Sequence, residues 1–246
     1  MASRKTVYFV ASGKYHDIDF ARLEVLKLLA EHDYIRTIVA PDYADTAAIA
    51  ASDFLISYTC DVVPTAEQTQ VLRDYVASGK RWFALHGTNS ILRFLANGLV
   101  DAPEENNPFM ELLGTQFKAH PPIGPFKVEV VDKAHPLTQG IDDFEVVDEL
   151  YLSKPFGPIR TLMKTRFKGE ATGFVDAQWD TDDVPLFYLR DFGQGAVLYI
   201  TLGHCRGHYD LPTLVPYYPH PERCAWNYPV YYDLLRRGIR WALQEF

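Results

Sequence analysis

Apolar and polar positions follow two regimes along the chain. Up to about residue 100, short β-rich apolar runs alternate with segments whose apolar residues repeat at helical spacing. VYFVA (7–11), IRTIVA (35–40), DFLISY (53–58) and RWFALHG (81–87) read as strands. After Asp19, the positions of Phe20, Leu23, Leu26, Leu29 and Ala30 predict a helix, and residues 44–51 predict a shorter one. TAEQTQVLRDYVASG predicts a third, with Thr65 as N-cap, Gln68 at the capping-box position and Gly79 as its stop. A fourth is expected from about Asn89 to Ala96. Strands separated by helices predict a parallel sheet covered on both faces, and right-handed crossovers make this half doubly wound and flavodoxin-like.

Beyond Val100 the rhythm changes. DAPEENNP, a short helix FMELLG and a loop KAHPPIGP come first, and then period-two segments dominate: 126–131, 144–152, 161–167, 185–192 and 196–203. Gly193 and Gly195 read as a hairpin turn between the last two, and a terminal helix is expected over about Pro229 to Leu243. The fold class this predicts is α/β: a three-layer α/β/α sandwich with a mostly parallel central sheet and additional antiparallel strands, in one domain over residues 1–246. The connection at 205–228 is longer than a structureless loop usually is, which marks it as a functional wall or an oligomer contact.

Composition narrows the function classes. The chain of 246 residues is 48% hydrophobic and 23% charged, as soluble globular proteins are. Its net charge of −8 argues against a nucleic-acid partner, which needs a basic face. Three cysteines without CxxC spacing make neither a disulfide framework nor a thiolate zinc module, and VYFVA is too short for a secretory or membrane-spanning run, so a cytoplasmic setting with no membrane partner is expected. No GxGxxG or GxxxxGK[ST] motif occurs, so no nucleotide cofactor is expected. WDTDD (179–183) lacks the glycine and distal glutamate of a calcium loop. Aromatic residues reach 14%, and residues 209 to 232 hold Tyr209, Tyr217, Tyr218, Trp226, Tyr228, Tyr231 and Tyr232. Tyrosine and tryptophan suit sugar faces and subunit interfaces alike, so this loop is expected to carry specificity or to bury itself in a homo-oligomer.

In open α/β sheets ligands bind beyond the carboxyl ends of the strands. His16 and Asp17 follow the first predicted strand, His86 the fourth, and His204 and His208 the last long one, although only eight residues are histidine. ALHGTNS has a strand-to-helix turn with His86 at its apex, where an acyl-transfer enzyme would carry Ser or Cys. Histidine there suits a general base, an oxyanion partner or a metal ligand. In DELYL, strand alternation turns one of Asp148 and Glu149 toward the cleft beside His120 or His204. A carboxylate with two imidazoles suits a divalent metal such as zinc or manganese, and it equally suits an acid–base pair. Both readings stay open on the residues alone. Cys60 and Cys205 lack a nucleophile signature and read as buried thiols.

Taken together and in order, HD after strand one, FALHGTNS, GTQFKAHPP, HPLTQGIDDFEVVDELYL and GQGAVLYITLGHCRGH resemble the ThuA-like (trehalose utilisation) family of the class I glutamine amidotransferase-like superfamily, over roughly residues 5 to 243. The resemblance implies the flavodoxin-like fold and a link to disaccharide and keto-sugar catabolism. Superfamily amidotransferases carry a nucleophilic Cys where this chain has His86, so amidotransferase activity is not expected. Carried over residue by residue as cleft residues are His16, Asp17, His86, His120, Glu149 and His204; residue chemistry then makes His86, Glu149, His16 and Asp17 the candidate catalytic residues and His120, His204 and Glu149 the candidate metal ligands. The implied function is a sugar-catabolising hydrolase, lyase or isomerase acting on a keto-sugar or disaccharide derivative by acid–base chemistry, with or without a divalent metal. The alternative is a non-catalytic carbohydrate-binding or assembly protein on the same scaffold.

Overall fold

The computed structural model describes residues 4–208, 215–216 and 219–246. Thirteen strands are described: β1 (Lys5–Gly13), β2 (Ile35–Ala40), β3 (Phe54–Cys60), β4 (Arg81–Leu85), β5 (Arg93–Phe94), β6 (Val100–Asp101), β7 (Thr115–Ala119), β8 (Gly124–Val130), β9 (Phe144–Asp148), β10 (Leu152–Pro155), β11 (Arg160–Glu170), β12 (Gln178–Phe192) and β13 (Gly195–Ile200). The α-helices are α1 (Ile18–Leu29), α2 (Thr46–Ala51), α3 (Ala66–Ala77), α4 (Asn107–Leu113) and α5 (Pro229–Ala242). Nine strands form one sheet in the order β2-β1-β3-β4-β13-β12-β11-β8-β9. The first five of these run parallel and the rest are added antiparallel.

Alternation along the parallel strands creates two cores. Val7, Phe9 and Ala11 of β1, with Phe83 and Leu85 of β4, pack with Val25 and Leu28 of α1 and Leu234 and Ile239 of α5. Tyr8 and Val10, with Trp82 and Ala84, face the other way toward Leu72 and Val76 of α3 and Phe109 and Leu112 of α4. Successive side chains point to opposite faces, so strands apolar at every position need a helical layer on each side. The result is the expected flavodoxin-like α/β fold with a large mixed sheet. Among the described residues, no helix is long and apolar enough to cross a membrane.

The local signals of α3 are realised: the Thr65 hydroxyl accepts from Gln68 N–H, the Gln68 side chain accepts from Thr65 N–H, and Gly79 takes φ +103°. Four expectations change. Helix α1 starts earlier, because Asp17 rather than Asp19 caps it through Phe20 N–H. The helix expected over 89–96 is a 3-10 turn at His86–Asn89 followed by the β5–β6 hairpin. There the Asp61 carboxylate takes Leu92 N–H, a donor a helix would keep for itself. The strand expected over 144–152 breaks at Glu149, and β10 leaves to pair with β7, which occupies part of the expected KAHPPIGP loop. WDTDD lies within β12.

Candidate metal centre

The carboxyl ends of β1, β4 and β13 lie along one edge of the sheet, with β3 between β1 and β4, and each is followed by a histidine. His16 lies beyond a turn in which Tyr15 takes φ +66°. His86 itself takes φ +42° at the end of β4. A non-glycine residue there costs roughly 1–3 kcal/mol and persists only where its surroundings hold it. Here the Tyr199 hydroxyl holds the turn, donating to the His86 carbonyl at 2.6 Å and accepting Asn89 N–H at 2.8 Å. The next residue has to be glycine, since a Cβ on Gly87 would lie 2.6 Å from the Thr59 carbonyl oxygen.

Asp148 fixes the other half. Its buried carboxylate accepts the N–H groups of Glu149 (2.7 Å), Gly203 (2.7 Å) and His204 (3.1 Å), tying the end of β9 to the residues after β13. Both acids of DELYL are therefore buried in this region, because the strand ends between them and alternation no longer applies. Asp148 holds backbone while Glu149 projects into the cluster.

Among the described residues, His16, His86, Glu149 and His204 bring one ligand atom each to within 4.8 Å of one another. His16 Nδ1 donates to the Lys14 carbonyl at 2.9 Å, and His86 Nδ1 donates to the Thr201 carbonyl at 2.7 Å. With Nδ1 as the donor, each ring turns its Nε2 inward, and the two Nε2 atoms face each other at 2.9 Å. Two lone pairs at that distance repel unless a proton or a metal ion lies between them. Backbone carbonyls that fix the outer ring nitrogen are also how metal-binding histidines are oriented. His204 Nδ1 stands 3.2 Å from Glu149 Oε2 yet is buried without a hydrogen-bond partner. Its Nε2 stands 3.2 Å from Glu222 Oε2.

Three imidazole nitrogens and a carboxylate oxygen are a donor set that fits zinc or manganese. Ligands about 2.1 Å from one ion stand roughly 3.4 Å apart in a tetrahedron, and the His16–His86, His204–Glu149 and His86–Glu149 separations are 2.9, 3.2 and 3.6 Å. Electrostatics agree. Burial alone would raise the Glu149 carboxyl, but the His120 and His204 imidazoles hold it well below the usual carboxylate range. Burial and the neighbouring His86 and His204 rings push His16 well down, keeping its lone pair free. Burial also lowers His204, yet the carboxylates of Glu149 and Glu222 raise it to about 10. A proton and a metal ion thus compete for His204 Nδ1.

The expected residues divide as follows. His16 and His86, expected as catalytic, join Glu149 and His204 in the cluster. His120, expected as a ligand, stands on the other oxygen of Glu149, with Nε2 3.2 Å from Oε1 and Nδ1 donating to the Pro121 carbonyl at 2.8 Å. Asp17, expected as catalytic, stands apart from the cluster. Its carboxylate caps α1 and pairs with Arg223 at 3.1 Å, and its N–H donates to the Cys205 carbonyl, so it stitches the start of α1 to the β13 end instead of entering the cluster. Glu222, which pairs with His204 and Arg206, was missed. The available signal was an acid inside an aromatic and proline-rich loop.

A cavity of about 190 Å³ opens above the cluster, with aromatic walls from Tyr15, Phe94, Phe117, Tyr151 and Phe174. None of these belongs to the late aromatic loop. Tyr209, Tyr217 and Tyr218 of that loop lie outside the described residues. Trp226 and Tyr231 are core braces, donating to the Gly203 and Leu202 carbonyls.

Comparison with known proteins agrees with this architecture. The sequence profile of the ThuA family, described as trehalose utilisation, matches residues 6–216. The chain is similar to a ThuA-like protein from Parabacteroides merdae, with a TM-score of 0.69 at 14% identity over 98% of this chain and 90% of that one. A ThuA-like protein from Bacteroides uniformis gives 0.66 at 16% identity, over 98% and 93%. A β-galactosidase from Bacillus circulans gives 0.58 at 11% identity, over 98% of this chain and 31% of that one, a likeness of fold alone. No curated protein gives a significant match.

Proposed function

Since the chain belongs to the ThuA family of trehalose utilisation, we propose that it is a sugar-catabolising enzyme acting on a keto-sugar or disaccharide derivative by metal-assisted acid–base chemistry. The observation that carries this reading is the convergence of ring nitrogens of His16, His86 and His204 with the Glu149 carboxylate, one ligand atom from each lying within 4.8 Å of the others. His16, His86, His204 and Glu149 would hold a divalent ion. Such an ion, when bound, supplies Lewis acidity toward a sugar carbonyl or hydroxyl oxygen.

The chain's own groups supply the rest. His120 keeps Nδ1–H on the Pro121 carbonyl, so its proton exchange takes place at Nε2, which faces both Glu149 and the cavity. Elimination and isomerisation of a keto-sugar both begin by removing a proton from the carbon beside the carbonyl, and His120 with Glu149 is the acid–base pair placed for it. No thiol takes part: Cys60, Cys205 and Cys224 are buried, and burial pushes the Cys205 thiol up to about 12. Free buried thiols also suit the reducing cytoplasm, where we place the protein.

The test is turnover of 3-keto-disaccharides followed by NMR. His86→Ala and Glu149→Gln are each expected to lower kcat by roughly a hundredfold or more. Unchanged turnover in both variants would sink the reading, and sugar binding without turnover in the parent protein would replace the enzyme with a binding module.

A further inference from the structure

The cavity above the cluster is too small for two sugar rings. At about 190 Å³ it falls below the roughly 300–1,000 Å³ of sites that enclose a whole drug-sized ligand. A disaccharide whose reacting ring sits against Glu149 and His120 must leave its other ring at the mouth.

Two aromatic rings stand there with large exposed faces. Phe94 is 65% exposed and Tyr15 is 39% exposed, and their ring centroids lie 5.7 Å apart at a tilt of 52°. Neither position is an accident of a loose loop. Tyr15 is held in the left-handed region, and Phe94 sits on the β5–β6 hairpin, whose Val100 is bound to the segment 173–175 by two backbone hydrogen bonds. One buried carboxylate links the two. Asp61, itself at φ +58°, pairs with Lys14 at 2.7 Å and with Arg93 at 3.3 Å, the residues preceding Tyr15 and Phe94, and accepts Leu92 N–H at 3.1 Å. Backbone in the left-handed region at Tyr15 and Asp61 thus holds two aromatic rings that keep solvent-facing surface.

We propose that Tyr15 and Phe94 form a platform on which the second ring of a disaccharide stacks, with Asp61 as the residue that positions it. This rests on the site reading above. The C–H face of a pyranose is apolar and matches an aromatic face, while its hydroxyls stay solvated at the rim. The platform makes the protein a disaccharide enzyme in preference to a monosaccharide one.

The experiment compares 3-keto-trehalose with methyl 3-keto-α-glucoside as substrates of the parent protein, Phe94→Ala and Phe94→Trp. The parent should favour the disaccharide. Phe94→Ala should raise KM for the disaccharide roughly three- to tenfold more than for the methyl glycoside, with the change in KM rather than kcat, and Phe94→Trp should restore the preference. Equal effects on both substrates, or a parent without preference, overturn the platform while leaving the site reading intact. Turnover of neither substrate by the parent overturns the site reading and the platform with it. A Phe94→Ala protein whose mass by light scattering differs from the parent's also overturns it, because the rings would then serve a contact between copies of the chain.

Discussion

Replacing Asp148 by asparagine isolates the group that holds the two halves of the site together. Oδ1 receives two N–H groups, from Glu149 and His204, and Oδ2 receives the third, from Gly203 at 2.7 Å. An amide keeps one oxygen, so its NH2 must face a backbone N–H, donor against donor, in a buried position. Losing a hydrogen bond to a charged acceptor costs about 1.5–3 kcal/mol, and leaving Gly203 N–H unsatisfied adds about 1–3 kcal/mol. Burial raises the Asp148 pKa, so part of this is returned when the charge is removed. A net loss of about 2–4 kcal/mol remains. At about 2–4 °C per kcal/mol for a chain of this size, Asp148→Asn should lower Tm by roughly 4–15 °C. Differential scanning calorimetry in the presence of a chelator reads this without a contribution from bound metal. A Tm within about 1 °C of the parent would refute the claim that this carboxylate organises the site.

Two further outcomes follow from side chains away from the cluster. Cys60, Cys205 and Cys224 are buried with raised thiol pKa values, so Ellman's reagent should react slowly or not at all with the folded protein and with all three thiols in denaturant; fast native labelling would contradict their burial. Glu31, at the end of α1, takes two-pronged hydrogen bonds from Arg236 of α5, which hold its pKa below the ordinary glutamate value of 4.5. A depressed folded pKa means stability present above the unfolded value and lost as pH falls through the folded one. The Tm gap between parent and Arg236→Met, worth roughly 0.2–1 kcal/mol at neutral pH for so exposed a pair, should therefore close under acid; a gap that widens there would contradict the assignment.

Where local chemistry decides, the sequence was readable. Thr65 and Gln68 form their capping box, IRTIVA is the whole of β2, and the histidines placed after predicted strands meet because those parallel strands end along the same edge of the sheet. Glu149 was found for a reason that proved incomplete. Alternation predicts one inward acid, but Asp148 is drawn in as well by N–H groups more than fifty residues away, which no local pattern reports. The segment 89–96 misled in the same way, since its apolar spacing fits a helix while Asp61, Gly173 and Phe174 draw it into a hairpin. Aromatic density pointed to residues 209–232, whereas the described cavity draws its rings from five separate segments. Glu222 and the Thr201 carbonyl complete the ligand surroundings only through folding that joins separate segments.

The central claim is that His16, His86, Glu149 and His204 hold a divalent ion. Elemental analysis by mass spectrometry, on protein incubated with zinc or manganese and then desalted, tests it most directly. The account predicts one ion per chain in the parent, and loss of that ion in His86→Ala and His204→Ala proteins whose circular dichroism is unchanged. A parent that retains no ion, or variants that retain it in full, would contradict the account.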